Sequence, residues 1–271
     1  WTDRGSPIIY HTQDLKNKLE EELGVGYHVE YAMRYKNPSL EKILKNWEGK
    51  NFEQIIILPL FPQYASATNG SVIEKAMEVV KKWWVIPEIS FVSQFYDHEF
   101  YLKGFEEQGN KHNFNEYDHV LFSFHGLPER HVDKVYDEGL CVENDCEKGV
   151  SKSNLFCYKA TCYETAIQLA KRFKLNKSNY SVGFQSRLGR DPWLQPYTDH
   201  TVEKLGKEGK KRVLVFSPAF VADCLETTIE IGEEYRELFQ EHGGEEIQLV
   251  PSLNDNDDWA EGLHKIIKDK L

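Results

Sequence analysis

No block of lysine and arginine occurs in the 271 residues, and the formal charge is −11 at pH 7. Nucleic acid is excluded as a partner, because its phosphates need a basic face. Long apolar runs are missing as well. The longest, residues 55–61, is interrupted by Pro59 and falls far short of the ~20 residues that a membrane-spanning helix needs. No repeat, low-complexity tract or signal-like stretch is visible, although the sequence opens on Trp1 rather than Met. These absences lead us to expect a cytoplasmic protein, with peripheral contact at the inner membrane left open.

What is present is a hydrophobic share of 40%, enough for one large or two medium α/β domains. Short β-rich runs at residues 27–31, 54–60, 89–93, 119–124, 181–184, 213–216 and 247–250 alternate with helical periodicity. The helical stretches are 14–23, 39–47, 71–84, 100–108, 161–173, 201–205, 225–239 and 258–268. Such alternation is the pattern of parallel sheets with crossover helices. Residues 109–118 are rich in Asn and poor in apolar side chains, which makes them the best junction between domains at 1–115 and 116–271. In open parallel sheets ligands bind beyond the carboxyl ends of strands, so the segments that follow strands carry the information.

One such segment is RVLVFSPAFVADCLETTIEIGEE, residues 212–234, where a buried strand runs into a helix that starts near Asp223. Glu226, Glu230 and Glu234 then fall at i, i+4 and i+8, so their carboxylates stack on one face. Asp223 with Glu226 also fits a D-x-x-E capping box. Capping does not explain Glu230 or Glu234, whose like charges repel by roughly 0.2–0.5 kcal/mol per pair unless a cation or protons offset them. Three further loops stand out. Residues 58–71 form a loop of proline, aromatic and hydroxyl side chains. SFHGLPERH, residues 123–131, places His125 directly after a strand, beside Gly126 and Pro128. Residues 185–199 hold Trp193, whose flat face suits a planar ligand. Each has a plainer reading, as a turn, a satisfied strand-end histidine or a packed indole.

Four of the five cysteines crowd together as C-x4-C-x10-C-x4-C, namely Cys141, Cys146, Cys157 and Cys162. A cytosolic chain does not keep disulfides, so close cysteines point to thiolates on a metal. Spacing alone does not separate a four-thiolate zinc site from a [2Fe-2S] centre. Residues 139–162 read as an insert that metal would order. Cys224, on an apolar turn, reads as packing.

Taken together, SFHGLPERH, CYETA, FQSRLGRDPWLQPYTD and SPAFVADCLETTIEI resemble ferrochelatase, which inserts ferrous iron into a porphyrin. AMRYKNPS and LPLFPQY resemble it too, so the likeness runs from about residue 5 to the end. The resemblance implies an α/β protein of two Rossmann-like, chelatase-type domains, each a parallel sheet flanked by helices, with the porphyrin between them. It also places the family's opening strand and its N-L-G-[TS]-P-like turn ahead of residue 1. His125 and Glu226 match the family's active-site pair, and Asp223, Glu230 and Glu234 match the acidic line that leads from it. Arg34, Tyr35, Phe61, Tyr64 and Trp193 resemble porphyrin-pocket residues. Animal relatives carry most of their cluster cysteines beyond the final helix and one where Ser66 stands. Some bacterial relatives have an internal group, which Cys141, Cys146, Cys157 and Cys162 resemble. The resemblance thus implies a [2Fe-2S] cofactor remote from the chemistry, with Fe2+ and protoporphyrin IX as substrates. Coproporphyrin III or a cobalt chelatase of the same fold are alternatives, and a metal-storing module is the alternative outside the class.

Overall fold

A computed structural model describes residues 3–271, built on two parallel sheets. Helices α1 (Pro7–Leu23) and α2 (Leu40–Trp47) precede strand β1 (Gln54–Ile57), which α3 (Ser71–Val80) joins to β2 (Glu88–Phe91). After α4 (Glu99–Gly109) come β3 (His119–His125), α5 (Glu129–Asp133), α6 (Tyr158–Arg172) and β4 (Tyr180–Gln185). The chain continues through α7 (Thr198–Lys207), β5 (Arg212–Phe216), α8 (Arg236–Glu241), β6 (Glu246–Leu249) and α9 (Asp257–Lys268). β1 and β2 form one sheet, and the second has the order β4-β3-β5-β6.

The central strands β3 and β5 are buried almost throughout, as parallel strands covered on both faces must be. Phe122, Phe124, Phe184 and Phe216 are wholly buried there, and each stabilises the fold by roughly 1.5–3 kcal/mol. One apolar cluster links this sheet to Leu15 and Leu19 of α1, Tyr101 and Phe105 of α4 and Trp259 of α9. The last helix therefore packs back on the first and fourth. No helix among the described residues is long and apolar enough to cross a membrane.

Three local expectations differ from the structure. Residues 27–31 form no strand: the Val29 N–H is taken by the Glu20 carboxylate at 3.1 Å instead of a neighbouring strand. α1 begins seven residues earlier than its periodicity announces, because Pro7 occupies the first helical position, where its missing N–H costs nothing. The acidic helix is not an α-helix at its start. It is π-helical over Glu226–Tyr235 and becomes α-helical only in α8.

Candidate active site

β3 lies between β4 and β5, so the chain reverses its direction of travel across the sheet at the crevice between β3 and β5. Ligands of such sheets bind at this switch point. His125, half-buried, is the last residue of β3. The turn that follows needs a glycine: Gly126 N donates to Gln185 O at 2.8 Å, and a Cβ there would stand 2.9 Å from that oxygen and 3.1 Å from Trp193 Cε3. His125 Nδ1 lies 2.6 Å from Gly126 O. A carbonyl only accepts, so Nδ1 carries the hydrogen and Nε2 keeps its lone pair. Phe220 and Trp193 flank the imidazole, with ring centroids 6.2 and 6.4 Å away.

On the other side of the crevice, the segment after β5 enters the π-helix at Glu226, also half-buried. π-turns replace i→i−4 bonds by wider i→i−5 ones and recur at functional sites. Gln185, at the end of β4, connects the two sides. Its backbone pairs with His125, its Nε2 donates to the Glu226 carbonyl at 2.8 Å, and its Oε1 accepts from Ser123 Oγ at 2.7 Å. Ser186 follows with a left-handed φ of 62°. That turn aims both its N–H and its Oγ at the Glu230 carboxylate, at 2.8 and 2.5 Å. Tyr235 Oη at 2.6 Å and Gln185 Nε2 at 3.2 Å complete four donors around Glu230. Burial, and then this carboxylate, push the Tyr235 phenol far up from its ordinary value.

The rest of the acidic line is differently employed. The Asp223 carboxylate accepts from Asn254 Nδ2 at 2.8 Å, Ser252 N at 3.2 Å and Thr227 Oγ1 at 3.2 Å, which anchors the loop after β6. Thr227 Oγ1 also accepts from Cys224 N at 3.0 Å, just ahead of the helix. Glu234 is exposed. Burial first, and the Glu226 carboxylate second, push the Cys224 thiol up to about 12.

Of the remaining predicted pocket residues, only Trp193 touches His125. Arg34 Nε donates to Ser71 Oγ at 2.7 Å at the start of α3, and its guanidinium lies over the exposed Tyr35 ring at 4.7 Å. Phe61, 39% exposed, is in a loop that the buried Asn69 pins, its amide donating to Phe61 O and Ser93 O, both at 2.9 Å. Tyr64 packs edge-on against Phe156 of the cysteine segment at 5.6 Å. It also lines an open surface depression over α3, with Gly70, Ile73 and Met77. Among the described residues none of these four shares a hydrogen bond or ring contact with His125, Trp193 or Glu226. Sequence reasoning missed Gln185, Ser186 and Tyr235, although the first two stand in the FQSRLGR motif where β4 ends.

Three of the four clustered cysteines converge. The sulfurs of Cys141, Cys146 and Cys157 are 3.5–3.6 Å apart, buried and without a disulfide. Contacts with the Cys141 and Cys157 sulfurs, then with Tyr136 Oη at 3.0 Å and the Asn154 amide, hold the Cys146 thiol well below the usual range. This donor set fits a thiophilic metal centre. The fourth, Cys162, is not among these three sulfurs. Cys157 is the extended N-cap of α6, and Cys162 lies five residues on, inside the helix. Its thiol is wholly buried beside the Tyr158 hydroxyl, and burial raises it far above the ordinary range.

A family model for ferrochelatase matches residues 2–271. The ferrochelatase of Legionella pneumophila strain Paris is 41% identical over 271 residues, covering 100% of this chain and 80% of the relative. The chain belongs to the ferrochelatase family. The ferrochelatase of Pseudomonas fluorescens strain Pf0-1 is 43% identical over 266 residues, covering 97% of this chain and 78% of its own. Among solved structures, SirB from Bacillus subtilis with Fe3+ matches with a TM-score of 0.64 at 13% identity, over 98% of this chain and 91% of that one. CbiX, the terminal enzyme for biosynthesis of sirohaem in denitrifying bacteria, matches at 0.58 and 11% identity, over 98% and 95%. These two speak for the fold, which is of the chelatase type. As a ferrochelatase the enzyme is a lyase that takes ferrous iron and a porphyrin as substrates.

Proposed function

We propose that His125 and Glu226 face each other across the β3–β5 crevice as the pair at which the porphyrin loses its pyrrole protons and takes up iron. The observation that carries this is the His125 Nδ1 to Gly126 O contact of 2.6 Å, which leaves Nε2 as the basic nitrogen. Pyrrole N–H groups are very weak acids, so insertion needs a base placed beside a distorted ring. Nε2 accepts a proton in this reading, and the Glu226 carboxylate offers a hard oxygen to the entering dication. Glu230, with four donors around it, holds the next position along the acidic line, with Asp223 and Glu234 at its ends. Trp193 supplies an apolar face to the macrocycle, and Arg34 a guanidinium for a propionate, with Tyr35, Phe61 and Tyr64 along the same rim. We take protoporphyrin IX as the porphyrin and the cytoplasm as the location.

The test is an anaerobic assay of His125→Ala with Fe2+ and with a surrogate divalent ion, each porphyrin in turn. Loss of insertion with both metals is expected, and near-normal turnover would remove His125 from the mechanism. Faster turnover of coproporphyrin III than of protoporphyrin IX would overturn the substrate assignment.

The cysteine group supports a second reading, a [2Fe-2S] centre that takes no part in the insertion step. Cys141, Cys146 and Cys157 would supply three of its four protein ligands, and Tyr136 Oη is the oxygen set against the group. When bound, such a cluster supplies thiolate bonds that order residues 139–157. An absorption spectrum of anaerobically purified protein tests it: colourless protein holding stoichiometric zinc would overturn the cluster.

A further inference from the structure

Cys157 and His125 are joined through one side chain. Tyr158, next to Cys157 and first in α6, is buried and donates its hydroxyl to the His125 carbonyl at 2.8 Å. The peptide between His125 and Gly126 is thus gripped at both ends, its oxygen by Tyr158 and its N–H by Gln185 O at 2.8 Å. Because that peptide is planar, the two bonds set how the imidazole leaves the strand. A carbonyl only accepts, so the Tyr158 hydroxyl is the donor of that bond.

A second arm leads from the cysteines to Trp193. Cys141 N donates to Asp133 Oδ1 at 2.9 Å, at the end of α5. At the start of α5, Glu129 N donates to Pro192 O and Leu194 N to Leu127 O, both at 2.9 Å, while Pro128 is bridged to Trp193. Both arms depend on where the cysteine segment sits. Little apolar burial holds that segment: Leu140, Val142, Leu155 and Phe156 are all exposed. Three sulfurs bound to one centre would supply what packing does not.

The geometry points to Tyr158 as a positioning residue, through which the metal-loaded cysteine group holds the His125 carbonyl and so the orientation of the imidazole. The inference rests on the two readings above, of His125 as the base and of the cysteines as a metal centre. Tyr158 acts through that carbonyl, from a buried position in α6.

The experiment compares full-length wild type, Tyr158→Phe, Cys141→Ser and the double variant, all purified anaerobically and assayed for bound metal, porphyrin affinity by fluorescence quenching, and steady-state insertion. Tyr158→Phe should keep its metal and its porphyrin affinity while kcat falls about tenfold, the effect of one lost hydrogen bond on a correctly oriented base. Cys141→Ser should lose metal and kcat together, and adding Tyr158→Phe to it should cost nothing more, since both act through one path. Wild-type kcat in metal-loaded Tyr158→Phe would overturn the inference, as would loss of metal in that variant or losses that simply multiply in the double. Should Tyr158→Phe not fold, wild type stripped of metal and freed of chelator serves instead: lowered kcat with unchanged porphyrin affinity supports the link, and unchanged kcat overturns it. An active His125→Ala would sink the reading of the base, whereas a null Tyr158→Phe beside an inactive His125→Ala sinks only the brace.

Discussion

Gln185 Nε2 donates to the main-chain oxygen of Glu226 at 2.8 Å while the Gln185 backbone is paired with His125 in the β3–β4 ladder. A buried amide on a central sheet therefore ties the strand-end histidine to the first residue of the π-helix. Groups held on rigid elements by satisfied hydrogen bonds keep a fixed separation, which metal insertion needs. The tie is selective: Glu226 is held through its backbone, so its carboxylate is positioned without being spent on the bond.

Gln185→Leu should therefore weaken catalysis more than porphyrin binding. It also strands Ser123 Oγ, which keeps only Thr198 Oγ1 at 2.9 Å, so a stability loss of about 1–3 kcal/mol is expected. Urea unfolding and steady-state kinetics check both. Full turnover with only the stability loss would leave Gln185 a fold residue.

Glu230→Gln replaces an acceptor of four donors by a group that must turn an NH2 toward one of them. We expect slower insertion with unaltered porphyrin affinity, read by fluorescence quenching beside turnover. A changed porphyrin affinity at unchanged turnover would count against a path along the acidic line.

Cys162→Ala should retain bound metal and its absorption spectrum, because its sulfur is not among the three that converge. Cys146→Ser should lose both. Metal analysis of the purified variants decides, and equal loss in the two would return Cys162 to the ligand set.

His119, buried at the start of β3, has Nε2 2.9 Å from Ser181 Oγ and no partner on Nδ1 among the described residues. Burial, and to a lesser degree Lys210, lower its pKa from 6.5 to about 4. Between those values the unfolded chain binds a proton that the folded chain refuses, so stability falls as pH drops below 6.5 and levels off below 4. The penalty at the acid end is on the order of 3 kcal/mol. His119→Gln should flatten this limb, with a smaller drop in Tm between neutral and acid pH than wild type shows.

Much of this architecture could be read from the chain alone. Six of seven expected strands are present because continuous apolar runs such as 119–124 and 213–216 have no other place than a sheet covered on both faces. The seventh, 27–31, carries alternation without a partner, and alternation does not reveal whether a second backbone lies alongside. His125 and the acidic segment were visible for a similar reason: each directly follows a strand, which is where parallel sheets put their ligands.

Spacing determined which side chains were available: a histidine after a strand, carboxylates four apart and clustered thiols. Tertiary structure decided which of them meet. Only folding brings Gln185 and Ser186 under a helix that begins forty-one residues later than Gln185, winds that helix as π, and draws together the sulfurs of Cys141, Cys146 and Cys157. Local periodicity reports the direction of a side chain within its own element, whereas contacts between distant elements depend on how those elements pack, and that is recorded at no single position of the chain.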